Sequence, residues 1–590
     1  MAAEAGATVV DPTVEDRIMV EEENGLVGYW KLSGDGRDYS GTGNHGKNHH
    51  VNLDTGEFNG RTSYLRVEDS ESLRFGTGDF SICAAVYTEG DMDSVVGNVL
   101  SKYDPGRRKG FTLGIKASSG GYNSQGNDKH VYFGIDDGKT GDWVDCSRPS
   151  ANSNYAGPLT VFDGKLYVAT TDAEKLEDWC HVYRYGGDGR WEDCGRVGNR
   201  RTPGVGPMIV HDGDLYAATW SYEFGEGRER KIDTWDYCSV YRYAGGREWE
   251  ACGQPGKSRR LISMASYRGK LYIISDGATI DPDARCYVYQ GGKEWSACGE
   301  FEDLPACLAV HHGKLYMATS EAGRGGGEVY VYDGETWEPL GNPFGYSLEW
   351  NPAIGANERL CIQIHAMQVY GGELYVGCWP NGNVAVRRCG KWEDCGVTAD
   401  RRERIEINSL TVYNGKLYAG TLPRAGVWRY EGGNEWTLMT RLLDDTPGVD
   451  ELKKWARLTS LTVYDGRLFA SVGSCTSCIS DAPCDVRGKV FSFEAGKNVS
   501  YDRDLGSGWQ HIAVVKDGGR LKLYINGELS VSSPPFVCED YDVSNDEPLE
   551  IGCGPIDYFS GRIREVRIYR RPIDDGQIRE IYQGVRDRLT

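Results

Sequence analysis

Apolar and polar positions alternate with a period of two through much of this chain, the signature of strands with one buried face. In the middle the alternation settles into one recurring phrase: LTVFDGKLY (Leu159–Tyr167), MIVHDGDLY (Met208–Tyr216), MASYRGKLY (Met264–Tyr272), LAVHHGKLY (Leu308–Tyr316), MQVYGGELY (Met367–Tyr375), LTVYNGKLY (Leu410–Tyr418) and LTVYDGRLF (Leu461–Phe469). Each copy reads as an apolar strand, a tight turn and a second strand ending in an aromatic. A variable segment follows, then a third strand such as HVYRY or VWRY, a glycine turn, and a strand carrying Trp191, Trp249, Trp295, Trp337, Trp392 or Trp436. The pattern predicts one four-stranded antiparallel sheet per repeat.

The unit returns every ~45–60 residues, the period of a β-propeller blade. The last repeat (KVFSFEAGKN, from Lys489) has no Trp after its turn, whereas an orphan phrase, DWVDC, lies upstream of the first hairpin. There Trp143 and Cys146 copy the spacing of Trp191 and Cys194. Residues 142–146 are therefore expected to supply the outer strand of the final blade, closing a seven-bladed ring with strands from both ends and hiding its edges.

The flanks differ in character. Residues 26–118 contain D-x-S-G-x-x-N-x-G (Asp38 to Gly46), and residues 508–570 contain W-x-H-x-A-x-V (Trp509 to Val515), the Y-I-N-G turn (Tyr524 to Gly527) and G-x-I-x-E-V-R-I-Y (Gly561 to Tyr569). On these motifs the two flanks resemble the halves of one laminin-G or concanavalin A-like jelly roll. That resemblance covers a little over a third of the chain and implies a two-sheet sandwich with the propeller inserted in one of its loops. The alternation of LKLYI and IREVRIY supports the sandwich independently. The expected all-β organisation is an extension over 1–24, the first half of the sandwich over 25–138, the propeller over 139–497, and the second half with a short amphipathic C-terminal helix over 498–590. The repeats resemble kelch units more loosely, since they have the aromatic-turn-Gly-x-L-Y hairpin and a later Trp without the full glycine doublet. No sialidase-type Asp-box is present.

Composition narrows the partners. A formal charge of −21 repels nucleic acid and anionic membranes at long range, and no apolar run is long enough to span a bilayer. The N-terminus lacks the basic and apolar segments of a secretory signal, but the 18 cysteines point outward. Cys180 and Cys194, Cys238 and Cys252, and Cys286 and Cys298 each bracket one strand-turn-Trp phrase, and folding each phrase about its turn sets the two opposite one another. In the fourth repeat Glu328 and Leu340 replace both at once, which is what covalent pairs predict. The expectation is an exported protein, extracellular or periplasmic, with disulfides; the competing reading is a reduced protein with small buried thiols. Asn498-Val499-Ser500 is a lone glycosylation sequon. Cys475, Cys478 and Cys484 lack a nearby fourth ligand for zinc, so disulfides are favoured there too. Asp38, Asn44 and Asp557 are candidate calcium ligands because many relatives of the jelly roll bind that ion.

Candidate chemistry gathers above the ring. His211, His311 and His312 fall in hairpin turns on the opposite face and are expected to face solvent. His365 instead lies two residues before the first apolar position of its innermost strand. Matched positions across the repeats bring Tyr155, Arg260, Gln363, His365, Glu406, Asn408 and Arg457 to one axial mouth. The plain alternative is a hydrated channel of mutually satisfied polar groups. As a site, the guanidinium groups suit a carboxylate or sulfate and the amides suit hydroxyls. Trp220, Tyr222, Trp235 and Trp379, in loops on the same face, are candidate stacking platforms for pyranose rings.

The resulting expectation is a carbohydrate-active protein that cleaves or binds an acidic polysaccharide or glycoconjugate. In β-elimination, Gln363 with Arg260 or Arg457 holds the uronate carboxylate while His365 or Tyr155 serves as base and acid. Hydrolysis needs two flanking carboxylates, and only Glu406 stands in the ring, with Glu302, Asp303 and Asp400 near in sequence. Elimination is preferred, hydrolysis is second, and a non-catalytic adhesion or scaffold protein is the rival. A copper or quinone oxidase needs more clustered His and Tyr than this mouth offers.

Overall fold

A computed structural model describes residues 24–589 except 90–95, 118–123, 152, 174–178, 200–201, 203, 221–235, 277–283, 321–324, 399–402, 445–455 and 474–487. Each hairpin phrase forms the two inner strands of a sheet. Repeats two to six build separate four-stranded antiparallel sheets, whose innermost strands are Val205–His211, Leu261–Tyr267, Leu304–His311, Cys361–Tyr370 and Glu406–Tyr413. Repeats one (from Ser153–Phe162) and seven (from Arg457–Tyr464) are joined into one larger sheet by the pairing of Tyr155 with Gly473. The turns are two-residue connections whose first residue is left-handed even when it is not glycine, as at His312 (φ 49°) and Asn414 (φ 41°).

Neighbouring innermost strands pack side by side from repeat one to repeat seven, and seven packs back on one. Ser hydroxyls knit several of these contacts: Leu308 N donates to Ser263 Oγ, Leu461 N to Ser409 Oγ, and Leu159 N to Ser460 Oγ across the closing junction. The outer strand of the last repeat is Val144–Asp145, paired with Phe491 and Ser492, as the orphan DWVDC phrase predicts.

The W-x-x-C-G phrase explains how adjacent sheets hold one another. Trp249 Nε1 donates to the carbonyl of Cys194 at 3.0 Å, Trp295 to Cys252 at 2.8 Å, Trp337 to Cys298 at 2.9 Å, Trp436 to Cys395 at 2.9 Å and Trp191 to Cys146 at 2.9 Å. Each bond joins the Trp of one sheet to the Cys of the preceding one. The glycine after the cysteine allows this approach, since a Cβ on Gly195 (φ 91°) would lie 2.2 Å from the Arg247 carbonyl oxygen.

The flanks form two stacked sheets around an apolar core that includes Trp30, Phe58, Phe80, Phe111 and Phe133. Strand Phe80–Thr88 lies between Gly508–Asp517 and Ser560–Tyr569, so both of its partners come from the far side of the repeats. Helix Asp575–Leu589 packs Ile578 on this domain.

The sandwich covers the face of the ring that carries the hairpin turns. Asn414 Nδ2 donates to the carbonyls of Ile135 and Ala495, Asn127 Nδ2 donates to Asp212, and Gln125 Oε1 accepts from Val310 N. This corrects the expectation that the turn histidines face solvent. His211 and His311 are each 6% exposed, with His211 Nδ1 2.8 Å from Ser266 Oγ and His311 Nε2 3.0 Å from the Gly372 carbonyl. Asn498 of the sequon is buried as well, donating to Tyr413 Oη and the Ala495 carbonyl, so its amide is not available to a glycan.

The described cysteines are thiols, and the bracketed pairs are not in register. The registers Tyr183–Asp193 and Tyr241–Ala251 already set the first two pairs two places off, so that the Cys180 carbonyl accepts from Val197 N and Cys252 N donates to the Val240 carbonyl, whereas in the third phrase a bulge moves Cys286 onto Gly299. Cys194, Cys252 and Cys395 instead meet the hydroxyls of Tyr243, Tyr289 and Tyr430 in the next sheet. The thiols of Cys286 and Cys298 touch. Cys475, Cys478 and Cys484 lie outside the described residues.

Candidate functional site

Successive repeats deliver the mouth residues to one place. His365 and Gln363 share the strand Cys361–Tyr370, and Gln363 Oε1 lies 2.8 Å from His365 Nε2. Glu406 opens the next innermost strand, with Oε1 3.8 Å from His365 Nε2, while its Oε2 accepts from Arg457 Nη2 at 3.2 Å. Arg457 opens the strand after that and pairs with Gly473, which pairs on its other side with Tyr155. The Tyr155 ring lies over that glycine and is buried. Four consecutive repeats thus supply His365, Glu406, Arg457 and Tyr155. The charge of Arg260, from the third repeat, also reaches His365.

This arrangement sets the protonation states. Burial lowers the His365 pKa, Glu406 opposes that, and Arg457 and Arg260 reinforce it, leaving the imidazole below its ordinary value and neutral near pH 7. Glu406 goes the other way: burial favours its neutral form, but Arg457 and then His365 outweigh that and hold the carboxyl below its usual range. With Nε2 donating to Gln363, the basic lone pair of His365 is on Nδ1, which is buried and has no hydrogen-bond partner among the described residues.

The remaining candidates divide. Asn408 is buried beneath the mouth, its Nδ2 directed at the Glu406 carbonyl at 3.3 Å. Trp220 is 3% exposed and lies under the Arg260 guanidinium, 5.4 Å from the ring centre, so it offers no open face to a sugar. Trp379 pairs with Gln363 across its hairpin and is half-buried, but Arg404 stands 4.2 Å above its ring. Arg404, anchored by Glu358 at 2.5 Å, lies in a connection between repeats and has no counterpart position in the repeat phrase that would have drawn attention to it. Asp303 is fully buried, and Tyr222, Trp235 and Asp400 lie outside the described residues.

Asp38 does not present itself to calcium. Its carboxylate accepts from the backbone N–H groups of Tyr29, Ser40 and Asn44 and from the hydroxyls of Ser40 and Thr42, which shapes its loop. Asn44 is likewise committed to Val27 and Ser72, and Asp557 sits elsewhere, near Asn98. Among the described residues no group of three or more His, Cys, Asp or Glu side chains is arranged to hold a metal ion. No helix among them is long and apolar enough to cross a membrane.

Comparison with known proteins gives partial matches. A family model described as the Concanavalin A-like lectin/glucanases superfamily matches residues 453–579, which include much of the second half of the sandwich. No curated protein sequence matches. Similar solved structures include the virginiamycin B lyase of Staphylococcus aureus (8% identity, 60% of this chain and 99% of that one, TM-score 0.40). Another is the extracellular domain of a putative one-component system from B. thetaiotaomicron (10% identity, 63% and 44%, TM-score 0.39). A third is the Trypanosoma rangeli sialidase (13% identity, 73% and 94%, TM-score 0.31). This chain is thus an all-β protein with a concanavalin A-like segment over 453–579, and its repeat region is described by its own strand pairing.

Proposed function

We propose that the repeats form a seven-bladed, kelch-like propeller inserted in a laminin-G-like sandwich, and that the mouth around His365 recognises and cleaves an acidic polysaccharide outside the cytoplasm. The observation that carries the reading is a neutral His365 whose Nδ1 is unclaimed, set beside the Arg457–Glu406 pair and within reach of the field of Arg260. In β-elimination, His365 Nδ1 takes the proton α to the uronate carboxylate, the C–C double bond forms, and the glycosidic C–O bond breaks, the leaving oxygen gaining a proton. Arg260 stabilises the carboxylate as negative charge develops on it. Tyr155, next to Arg457 across Gly473, is the acid in this scheme.

A second reading is favoured by one feature: the Arg457–Glu406 pair is already closed and mostly buried, as in a rigid wall that binds without turnover. Incubation with a panel of uronic-acid polymers separates the two. Elimination yields the ultraviolet absorbance of an unsaturated uronate, and His365→Ala abolishes it while binding persists. Binding without new double bonds or reducing ends establishes the binder. Wild-type activity in His365→Ala removes the proposed site.

A further inference from the structure

A second cleft lies on the opposite face of the ring, where the fourth and fifth repeats meet the sandwich. Its volume is about 380 Å³ and its lining includes Arg61 and Tyr558 from the sandwich, His312 and Tyr316 from repeat four, and Arg387 from repeat five. We propose that this cleft binds a small solute through one carboxylate or sulfate group, gripped between Arg61 and Arg387.

Three observations support the assignment. First, the junction is built differently from its neighbours. The buried Nε1 of Trp392, equivalent to the donors that close on the Cys298 and Cys395 carbonyls at the neighbouring junctions, has no hydrogen-bond partner among the described residues. The seam is therefore unlatched where the cleft opens.

Second, the lining is cationic in a chain of net charge −21. Arg61 and Arg387 line the same cleft as Tyr316. Arg61 is oriented by donating from Nη2 to the His312 carbonyl at 2.9 Å, and Arg387 lies 5.4 Å from the centre of the Trp392 ring. Glu373, the carboxylate in the lining, is already held by Arg388 at 2.7 Å. Asp557, behind Gly372, is fully buried, and that burial pushes its carboxyl well above the ordinary carboxylate range.

Third, the cleft contains an uncommitted polar atom. His312 stacks on His311 with ring centres 3.7 Å apart, and its Nε2 is buried with no partner among the described residues. Guanidinium forks match the planar geometry of carboxylate and the oxygens of sulfate. The Tyr558 and Tyr316 rings bound the rest of a space large enough for a monosaccharide.

The test is calorimetric titration of the full chain with sodium sulfate, sodium glucuronate and glucose. Saturable binding of an anion is expected, weakened at least about tenfold in Arg387→Ala and in Arg61→Ala, with glucose silent. Tighter binding of glucuronate identifies an acidic sugar as the ligand class, and equal or tighter binding of sulfate identifies a free oxyanion. No saturable heat from either anion overturns the proposal, as does binding that Arg387→Ala leaves intact. Because the cleft and the mouth are on opposite faces, His365→Ala keeps the seam binding. Anion binding lost in His365→Ala and kept in Arg387→Ala assigns it to the mouth and refutes the seam.

Discussion

Trp436→Phe and Trp392→Phe delete the same atoms at equivalent places in neighbouring repeats, yet the structure predicts opposite outcomes. Trp436 Nε1 donates to the Cys395 carbonyl at 2.9 Å. Its removal leaves that carbonyl short of a partner at a sheet-to-sheet contact, a loss of ~1–3 kcal/mol. The equivalent Nε1 of Trp392 is buried and has no partner among the described residues, so its removal relieves a desolvated donor and is neutral or stabilising. Loss of ring area is common to both substitutions and cancels in the comparison. The expected difference is ~2 kcal/mol, with Trp392→Phe the more stable. Urea unfolding followed by far-ultraviolet circular dichroism measures it, provided the denaturant slopes agree. Amide exchange in Glu435–Arg441 and Lys391–Val397 localises it. Equal costs for the two variants would show that the indole bond to the preceding sheet is not what ties the repeats together.

Other expectations follow from the buried charges. Glu406→Gln removes the group that opposes the lowering of the His365 pKa; the imidazole titration, followed by NMR, moves to still lower pH, and an upward or absent shift refutes the coupling. Lys116, beside the cavity between ring and sandwich, has its pKa lowered to about 8 by burial, only partly offset by Asp502. Below pH 8 the amine is charged in folded and unfolded chains alike and the folded state bears the desolvation cost. Between pH 8 and its ordinary value the unfolded chain holds more protons, so stability rises with pH, by at most ~3 kcal/mol. Lys116→Met should flatten that rise in urea midpoints taken across the alkaline range.

Much of the architecture is legible in the chain because it rests on short-range signals: an apolar strand, a tight turn, an aromatic. Even the closing strand is legible, since Trp143 and Cys146 carry the spacing of a repeat that has no other source. What the spacing hides is register. The registers Tyr183–Asp193 and Tyr241–Ala251 leave Cys180 and Cys252 off their expected partners, a bulge shifts Cys286 onto Gly299, and nothing in C-x-V-Y or W-x-x-C-G announces that bulge. The burial of His211 and His311 was within reach of the sequence. The last third strand runs toward the hairpin turns before the chain enters the sandwich, so the split domain had to lie on that face. At the mouth, the alignment of repeats brings His365, Gln363, Glu406 and Arg457 together because each is anchored to the same strand position. Trp220 and Trp379 stand at or just past the ends of second strands, and the guanidinium groups over their rings come from Arg260 and Arg404, which only the tertiary structure pairs with them.

Strand Phe80–Thr88 has a consequence for biosynthesis. It is made early, but the two strands that flank it are encoded beyond the whole run of repeats. At ~5–20 residues per second, translation leaves this apolar ribbon without either neighbour for tens of seconds. Through that interval both its edges are open to pairing with any other exposed strand. A nascent chain stalled within the repeats would therefore carry an unprotected aggregation seed upstream of them, and ribosome-associated chaperones have a defined segment to guard.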